Sequence, residues 1–396
     1  MIHKLNFRHT IIASYFGYIT QAILNNLAPL FFLIFMESFD IPLGKVTLIV
    51  TINFLVQLFV DMLAGKFVDK TGYRVPVVAA HVFAAAGLVL LAVLPNVMRN
   101  SYAGIIIAVC VYAVGGGLTE VLISPIVEAC PTENKAGAMS LLHSFYCWGT
   151  VAVILLSTGF MYLFGKQSWT TLCVLWALVP LVNAVFFCLV PINRLCEENG
   201  GAMSFAELFK TKVFWVFMLL MVASGASEQA MSQWASAFAE SGLKVSKAVG
   251  DIAGPCMFSI LMGTARVLSS KLSDKKELLN PISLSAALCV GAYLLASLSE
   301  NAVLSLVGCA VCGFSVGIMW PGVFSSASAT LKRGGSLMFA MLALAGDVGC
   351  SAGPTVVGFI ADANGDSLKT GLLFAIVFPI TLIVFSFVCK KIKNKT

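Results

Sequence analysis

Twelve runs of apolar residues, each long enough to cross a bilayer, follow one another along this chain with little charge inside them. They lie near residues 10–36, 45–64, 75–95, 101–127, 138–163, 169–190, 213–238, 248–268, 279–298, 301–329, 335–360 and 369–389. A spanning helix needs about 20 mostly apolar residues, because each residue rises about 1.5 Å through about 30 Å of hydrocarbon. In lipid the backbone must satisfy its own hydrogen bonds, so runs of this length specify helices. The breaks between them carry turn chemistry, as in Ile41-Pro42-Leu43-Gly44, Leu94-Pro95-Asn96 and Ala363-Asn364-Gly365. The pattern predicts an all-α integral membrane protein with twelve transmembrane helices.

Composition agrees. Hydrophobic residues make up 59% of the chain and charged residues only 11%, against about 25% charged in soluble proteins. Too few charges are present to build a water-facing surface, so lipid is the expected solvent. The formal charge of +6 is spread over short loops rather than gathered in a patch, which argues against a nucleic-acid partner. The first apolar run is too long for a signal-peptide core of roughly 7–15 residues. Twelve cysteines are scattered, mostly within apolar runs, and the Cys309/Cys312 pair has no second pair or histidine beside it. They read as small buried hydrophobes, and neither a metal nor a cofactor is expected.

Basic residues set the orientation. With the amino terminus in the cytoplasm, 19 of the 25 Lys and Arg residues fall on the cytoplasmic side and 6 outside, as the positive-inside rule requires. Both termini are then cytoplasmic, and the expected location is the plasma membrane. The longest hydrophilic stretch, 191–212, falls near the midpoint and holds an amphipathic Phe205-Ala206-Glu207-Leu208-Phe209 suited to the membrane surface. It divides the chain into an amino-terminal six-helix bundle, 1–190, and a carboxy-terminal one, 213–396, with a short basic tail.

An internal repeat supports that division. After the second run the chain reads Asp61-Met62-Leu63-Ala64-Gly65-Lys66-Phe67-Val68-Asp69-Lys70-Thr71-Gly72-Tyr73-Arg74. Six runs later it reads Arg266-Val267-Leu268-Ser269-Ser270-Lys271-Leu272-Ser273-Asp274-Lys275-Lys276. A duplicated six-helix unit leaves such a repeat at half-chain distance. Asp61 and Arg266 hold equivalent places with opposite sign, which makes them a candidate gate pair.

The segment Gly65-x-x-x-Asp69-Lys70-x-Gly72-x-Arg74 resembles the loop motif of the major facilitator superfamily, at the place between helices two and three where that family carries it. The resemblance implies two pseudo-symmetric six-helix bundles and assigns the motif to gating. Within the superfamily the chain is similar to the sugar permease branch typified by fucose permease. Gly115-Gly116-Gly117-Leu118-Thr119-Glu120 with Ser124-Pro125 carries this, as do Ala226-Ser227-Glu228-Gln229-Ala230-Met231-Ser232-Gln233-Trp234, Trp320-Pro321 with Phe324-Ser325, and Gly353-Pro354 with Gly358, Ala361 and Asp362. One departure stands out: the acid that follows Asn-Asn-Leu in fucose permease is replaced by Ala28-Pro29 after Asn25-Asn26-Leu27.

An ionised acid at mid-bilayer costs about 2.5–3.5 kcal/mol on insertion scales, so each one is a candidate functional group. Glu120 has no basic residue in its run and is the expected proton carrier, with Asp347 as a second proton-binding site. Glu228 is suited to accept substrate hydroxyls. Gln21, Asn25, Asn53, Gln57, His143, Gln229 and Gln233 offer hydrogen bonds from otherwise apolar helices. Tyr18, Tyr146, Trp148, Trp234 and Trp320 offer flat faces for a sugar ring. Asn53 and Gln57 share a helix face, as do Gln229 and Gln233. Any one of these residues, taken alone, is more often an interhelical hydrogen bond than a ligand contact; the collection points further than its members.

The sequence carries no H-E-x-x-H, G-x-S-x-G or phosphate-binding loop, and only four histidines, so no enzyme is expected. The expectation is a monomeric secondary transporter that moves a small polar solute, a sugar or polyol, with protons. Proton-driven efflux of amphipathic compounds is the alternative.

Overall fold

A computed structural model of the chain describes residues 5–131, 135–193, 203, 205–270, 279–331 and 333–393. Among the described residues, twelve helical spans are long and apolar enough to cross a membrane: Phe7–Phe39, Leu43–Leu63, Arg74–Val97, Ser101–Val127, Leu141–Phe164, Lys166–Leu189, Lys212–Gly242, Lys247–Leu268, Leu279–Leu298, Ala302–Phe324, Met341–Ala363 and Leu368–Ile392. They are called spans one to twelve below. No strand occurs among the described residues. Large apolar side chains such as Phe59, Leu163, Val182 and Leu284 lie on the exposed surface, as a chain solvated by lipid requires.

Several spans overrun their apolar cores. Span one begins at Phe7 because Asn6 caps it, accepting from Arg8 N–H at 3.1 Å while His9 Nδ1 accepts from Asn6 N–H at 3.1 Å. Its α-helix stops at Asn26 and resumes at Phe32 after one 3₁₀ turn, Ala28–Phe31. Pro29 causes the break, since it lacks the N–H that residue 25's carbonyl would receive. Spans seven and eight each contain a π-helical turn, Phe238–Gly242 and Ile252–Cys256, and the second surrounds Pro255. Ser236 on span seven is hydrogen-bonded to buried Asp251 on span eight, and Lys247 Nζ lies 3.3 Å from the same carboxylate.

The chain forms two compact units, Met1–Glu197 and Glu198–Thr396. Helix pairing inside them follows one scheme. In the first unit span three packs on span four and span one on span five; in the second, span nine packs on span ten and span seven on span eleven. Small residues allow the closest of these contacts. A methyl group on Gly225, Gly349 or Gly353 would strike backbone of the facing helix in the span seven–eleven pair, as expected where packing rather than hydrophobicity holds membrane helices together. In the linker, residues 194–202 and 204 lie outside the described residues. Met203 N–H donates to Arg333 O at 2.8 Å. The short helix Phe205–Lys210 follows, with Phe205 stacked on Phe209 at 4.4 Å.

The loop motif after span two is described in part. The side chains of 64–71, which include Gly65, Asp69 and Lys70, lie outside the described residues, as does 271–276 of the second copy. Gly72 has φ +74°, a left-handed turn that favours glycine. The Arg74 guanidinium donates to Phe187 O at 3.0 Å, Cys188 O at 2.6 Å and Val190 O at 2.8 Å. These are carbonyls at the carboxyl end of span six, where a helix leaves acceptors unused and a positive charge is favoured. Arg74 is therefore a helix cap within its own bundle, whatever further part it has in gating. Arg74→Ala is expected to destabilise the protein by about 1–2 kcal/mol, with Arg74→Lys recovering part of it. Thermal unfolding of the purified variants checks this.

Candidate functional site

The break in span one builds the polar centre of the first unit. It leaves Asn25 and Asn26 at the end of a helical segment, facing spans two and five. Asn25 Oδ1 accepts from Gln57 Nε2 at 2.9 Å and from Asn53 Nδ2 at 3.2 Å. Gln21, one turn earlier, donates from Nε2 to Gln57 Oε1 at 2.8 Å and to Glu120 Oε2 at 3.2 Å. A continuous chain of side chains thus runs Asn53–Asn25–Gln57–Gln21–Glu120 across spans two, one and four. Asn26 Nδ2 donates to Ala22 O, to Thr150 Oγ1 at 3.2 Å and to Tyr146 OH at 3.4 Å, joining span five. Tyr18 OH lies 3.0 Å from Ser124 Oγ, and its ring meets His143 edge-on at 5.1 Å.

Two acceptors in this chain, Gln21 Oε1 and Asn53 Oδ1, are buried without a hydrogen-bond partner. Buried polar atoms almost always find partners, so two such oxygens in one network mark a place prepared for donors.

Glycines of span four make room for the network. A Cβ on Gly116 would stand 3.0 Å from the Gln57 amide, and one on Gly117 would stand 3.0 Å from Asp61 Oδ1. Asp61 is one turn beyond Gln57 on span two and Glu120 one turn beyond Gly117 on span four. Their carboxylate oxygens lie within 4.8 Å of one another. The sequence offers Asp61 as half of a candidate gate pair with Arg266; the structure rests it against span four beside Glu120. Two full negative charges at that separation repel by about 3 kcal/mol or more at an effective dielectric near 20.

The second unit has its own centre. Glu228 Oε2 is 3.1 Å from Arg266 Nη2 in a pair that is almost wholly buried, and Gln229 Nε2 approaches Glu228 Oε1 at 3.4 Å. Gln233 Nε2 donates to Gln229 Oε1 at 2.9 Å, extending the chain along span seven. Arg266, grouped with the cytoplasmic charges in the sequence, thus turns inward to a carboxylate of its own bundle. Trp234 is fully buried and donates its indole N–H to Pro354 O at 2.9 Å, so it braces spans seven and eleven. Trp320 packs over Gly346, whose Cβ would collide with the indole ring, and meets Phe324 at 6.1 Å. Asp347 is buried on span eleven, while His143 and Trp148 in the first unit are exposed.

Three participants escaped the sequence reading: the Asp61–Glu120 pairing, the Glu228–Arg266 pair and Asn26. The close approach at Gly117 was the available signal for the first. A mid-span acid with a basic residue on the neighbouring span was the signal for the second.

Comparison with known proteins agrees with this architecture. Residues 11–354 match the profile of the Major Facilitator Superfamily. An uncharacterized MFS-type transporter of Yersinia pestis is 23% identical over 344 residues, covering 86% of this chain and 85% of the relative. The membrane protein MosC of Rhizobium meliloti is 23% identical over 337 residues, covering 85% and 79%. Among solved structures, the fucose:proton symporter of E. coli superposes with a TM-score of 0.68 at 14% identity, covering 97% of this chain and 98% of its own. A bacterial homolog of the human lysosomal transporter Spinster, inward-facing and occupied, gives 0.76 at 13% identity, covering 96% of each chain. With a family profile matched along most of its length and twelve spans in two six-span units, the chain belongs to the Major Facilitator Superfamily of membrane transporters.

Proposed function

We propose that this transporter takes up a small polyhydroxylated solute, a sugar or polyol, together with protons across the plasma membrane. Both termini face the cytoplasm, the monomer is the working unit, and access alternates between the two sides. The observation that carries the reading is the amide chain Asn53–Asn25–Gln57–Gln21, ending on Glu120 and holding two buried acceptor oxygens without partners. Hydroxyl groups are the donors such oxygens would accept. Glu120 is the proton carrier in this scheme, and Asp347 is the second proton-binding site. Gln229, Gln233 and Trp320 are the substrate-contacting residues proposed in the second bundle, and Tyr146, His143 and Trp148 of span five those added in the first.

Counterflow in proteoliposomes over a panel of sugars, polyols and nucleosides tests the proposal. Exchange of at least one hydroxylated solute is expected, with uphill accumulation when a pH gradient, acid outside, is imposed. Exchange of none, together with proton-driven extrusion of amphipathic dyes, would replace uptake by efflux.

A further inference from the structure

A helix as short as Phe205–Lys210 does not persist in water on its own, so its contacts decide where it lies. The Phe209 ring meets Trp215 edge-on at 5.1 Å, and the Trp215 indole N–H donates to Phe209 O at 2.9 Å. Phe214 lies 5.7 Å from the same ring. One side of the short helix is thereby pinned to the start of span seven. Phe205 remains 52% exposed and Trp215 46% exposed. A tryptophan that turns its ring outward and gives its N–H to a carbonyl suits the boundary between hydrocarbon and headgroups.

Span twelve packs against span seven and crosses in the opposite direction, so its last turns stand beside the first turns of span seven. The exposed side of span seven reads Lys212, Trp215, Leu219, and that of span twelve reads Val384, Phe387, Lys391. Both follow the helical spacing of three and four residues, and each is an apolar stripe with a lysine at the end nearest the linker. Lys390 donates to Asn280 Oδ1 and lies over the Phe387 ring at 5.2 Å, which adds a held charge at the same level. Glu207 is the acid of the short helix, and residues 208–227 and 367–396 contain none. Positive charge therefore prevails over exposed aromatic rings.

We infer that this surface binds an anionic phospholipid. Lys210, Lys212 and Lys391 receive the phosphate, and the acyl chains run along Trp215 and Phe387. Lysines alone would do no more than orient the chain in the membrane. The exposed rings beneath them add a requirement for hydrocarbon, which a soluble acidic partner does not supply. Each lysine near an anionic headgroup strengthens association by about fivefold at low salt, and the attraction is screened as salt rises. The linker between the two units is in this way tied to the lipid at its second-unit end. Only the side of the membrane on which the surface lies rests on the orientation proposed above; its chemistry owes nothing to the transported solute.

Quenching of Trp215 by brominated lipid tests the inference on the full-length protein. Vesicles of phosphatidylcholine with about one-fifth phosphatidylglycerol are made twice, with bromine on the phosphatidylglycerol chains or on an equal amount of the phosphatidylcholine. The difference between the unaltered protein and Trp215→Phe isolates that one indole. Brominated phosphatidylglycerol should quench it about threefold more than brominated phosphatidylcholine at low salt. The two should converge at about 1 M salt, where the screening length is about 3 Å. Combined Lys210→Gln, Lys212→Gln and Lys391→Gln should remove the preference, and the matching triple Lys→Arg variant, which guards against a folding defect, should keep it. Inorganic phosphate at constant ionic strength should not displace the lipid. Equal quenching by the two lipids, a preference that survives in the glutamine variant or in high salt, loss in the arginine variant, or displacement by inorganic phosphate would each overturn the site. None of these outcomes bears on the carrier reading, which counterflow tests separately.

Discussion

Removing either partner of the Glu228–Arg266 pair is expected to destabilise the second bundle by about 3–5 kcal/mol. The two groups meet at 3.1 Å with side chains 9% and 16% exposed, so neither has water to fall back on. Arg266→Met leaves a carboxylate facing Gln229 in an apolar bundle, and Glu228→Gln leaves a guanidinium there. The double variant removes both charges at once and should recover most of the lost stability, because replacing a whole buried pair by neutral groups is often nearly neutral. Thermal unfolding midpoints of the two single variants and the double variant form the necessary cycle. A double variant no more stable than the less stable single would mean that the two charges do not act as a unit. The same cycle separates the roles that the sequence suggests. If Glu228 serves mainly to accept substrate hydroxyls, its substitution should affect solute binding more than stability. If Arg266 serves mainly to gate against Asp61, Arg266→Met should leave the unfolding midpoint nearly unchanged.

The spans were readable because lipid fixes both the length and the backbone chemistry of a helix that crosses it. Their ends were less so, since caps lie outside the apolar run: Asn6 and His9 start span one three residues before its core reading. Asn53 and Gln57 share a face by simple periodicity, and both reach Asn25. What periodicity cannot supply is how deep one helix sits beside another. Asp61 looked like a rim residue because hydrophilic residues 65–74 follow it closely. Gly117 lets the second span lie so near the fourth that its carboxylate comes level with Glu120. Arg266 shows a related limit. Charge counting assigns a residue to a side of the membrane, but a long guanidinium side chain can reach well away from its own Cα. Trp234 shows the opposite limit: an aromatic residue in a motif that resembles a sugar site donates its N–H to a backbone carbonyl and braces two helices.

Glu120→Gln should separate exchange from accumulation. The amide keeps the shape of the acid and still presents an oxygen to Gln21 Nε2, now 3.2 Å from the carboxylate, so the chain of amides that would hold the solute is preserved. What it loses is the ability to bind and release a proton. A pH difference of one unit supplies about 1.4 kcal/mol, enough for about tenfold accumulation at one proton per solute. The unaltered protein should approach that ratio in proteoliposomes. The Glu120→Gln variant should stop at equal concentrations on both sides while retaining solute exchange within about threefold of the unaltered rate. Asp347→Asn, measured alongside, assigns the second acid: if it too uncouples accumulation from exchange, both acids take part in proton binding. If only Glu120→Gln uncouples, one carboxyl in the first bundle suffices. Tenfold accumulation surviving in Glu120→Gln would remove that residue from the coupling scheme, because no other change in the variant compensates for a lost proton.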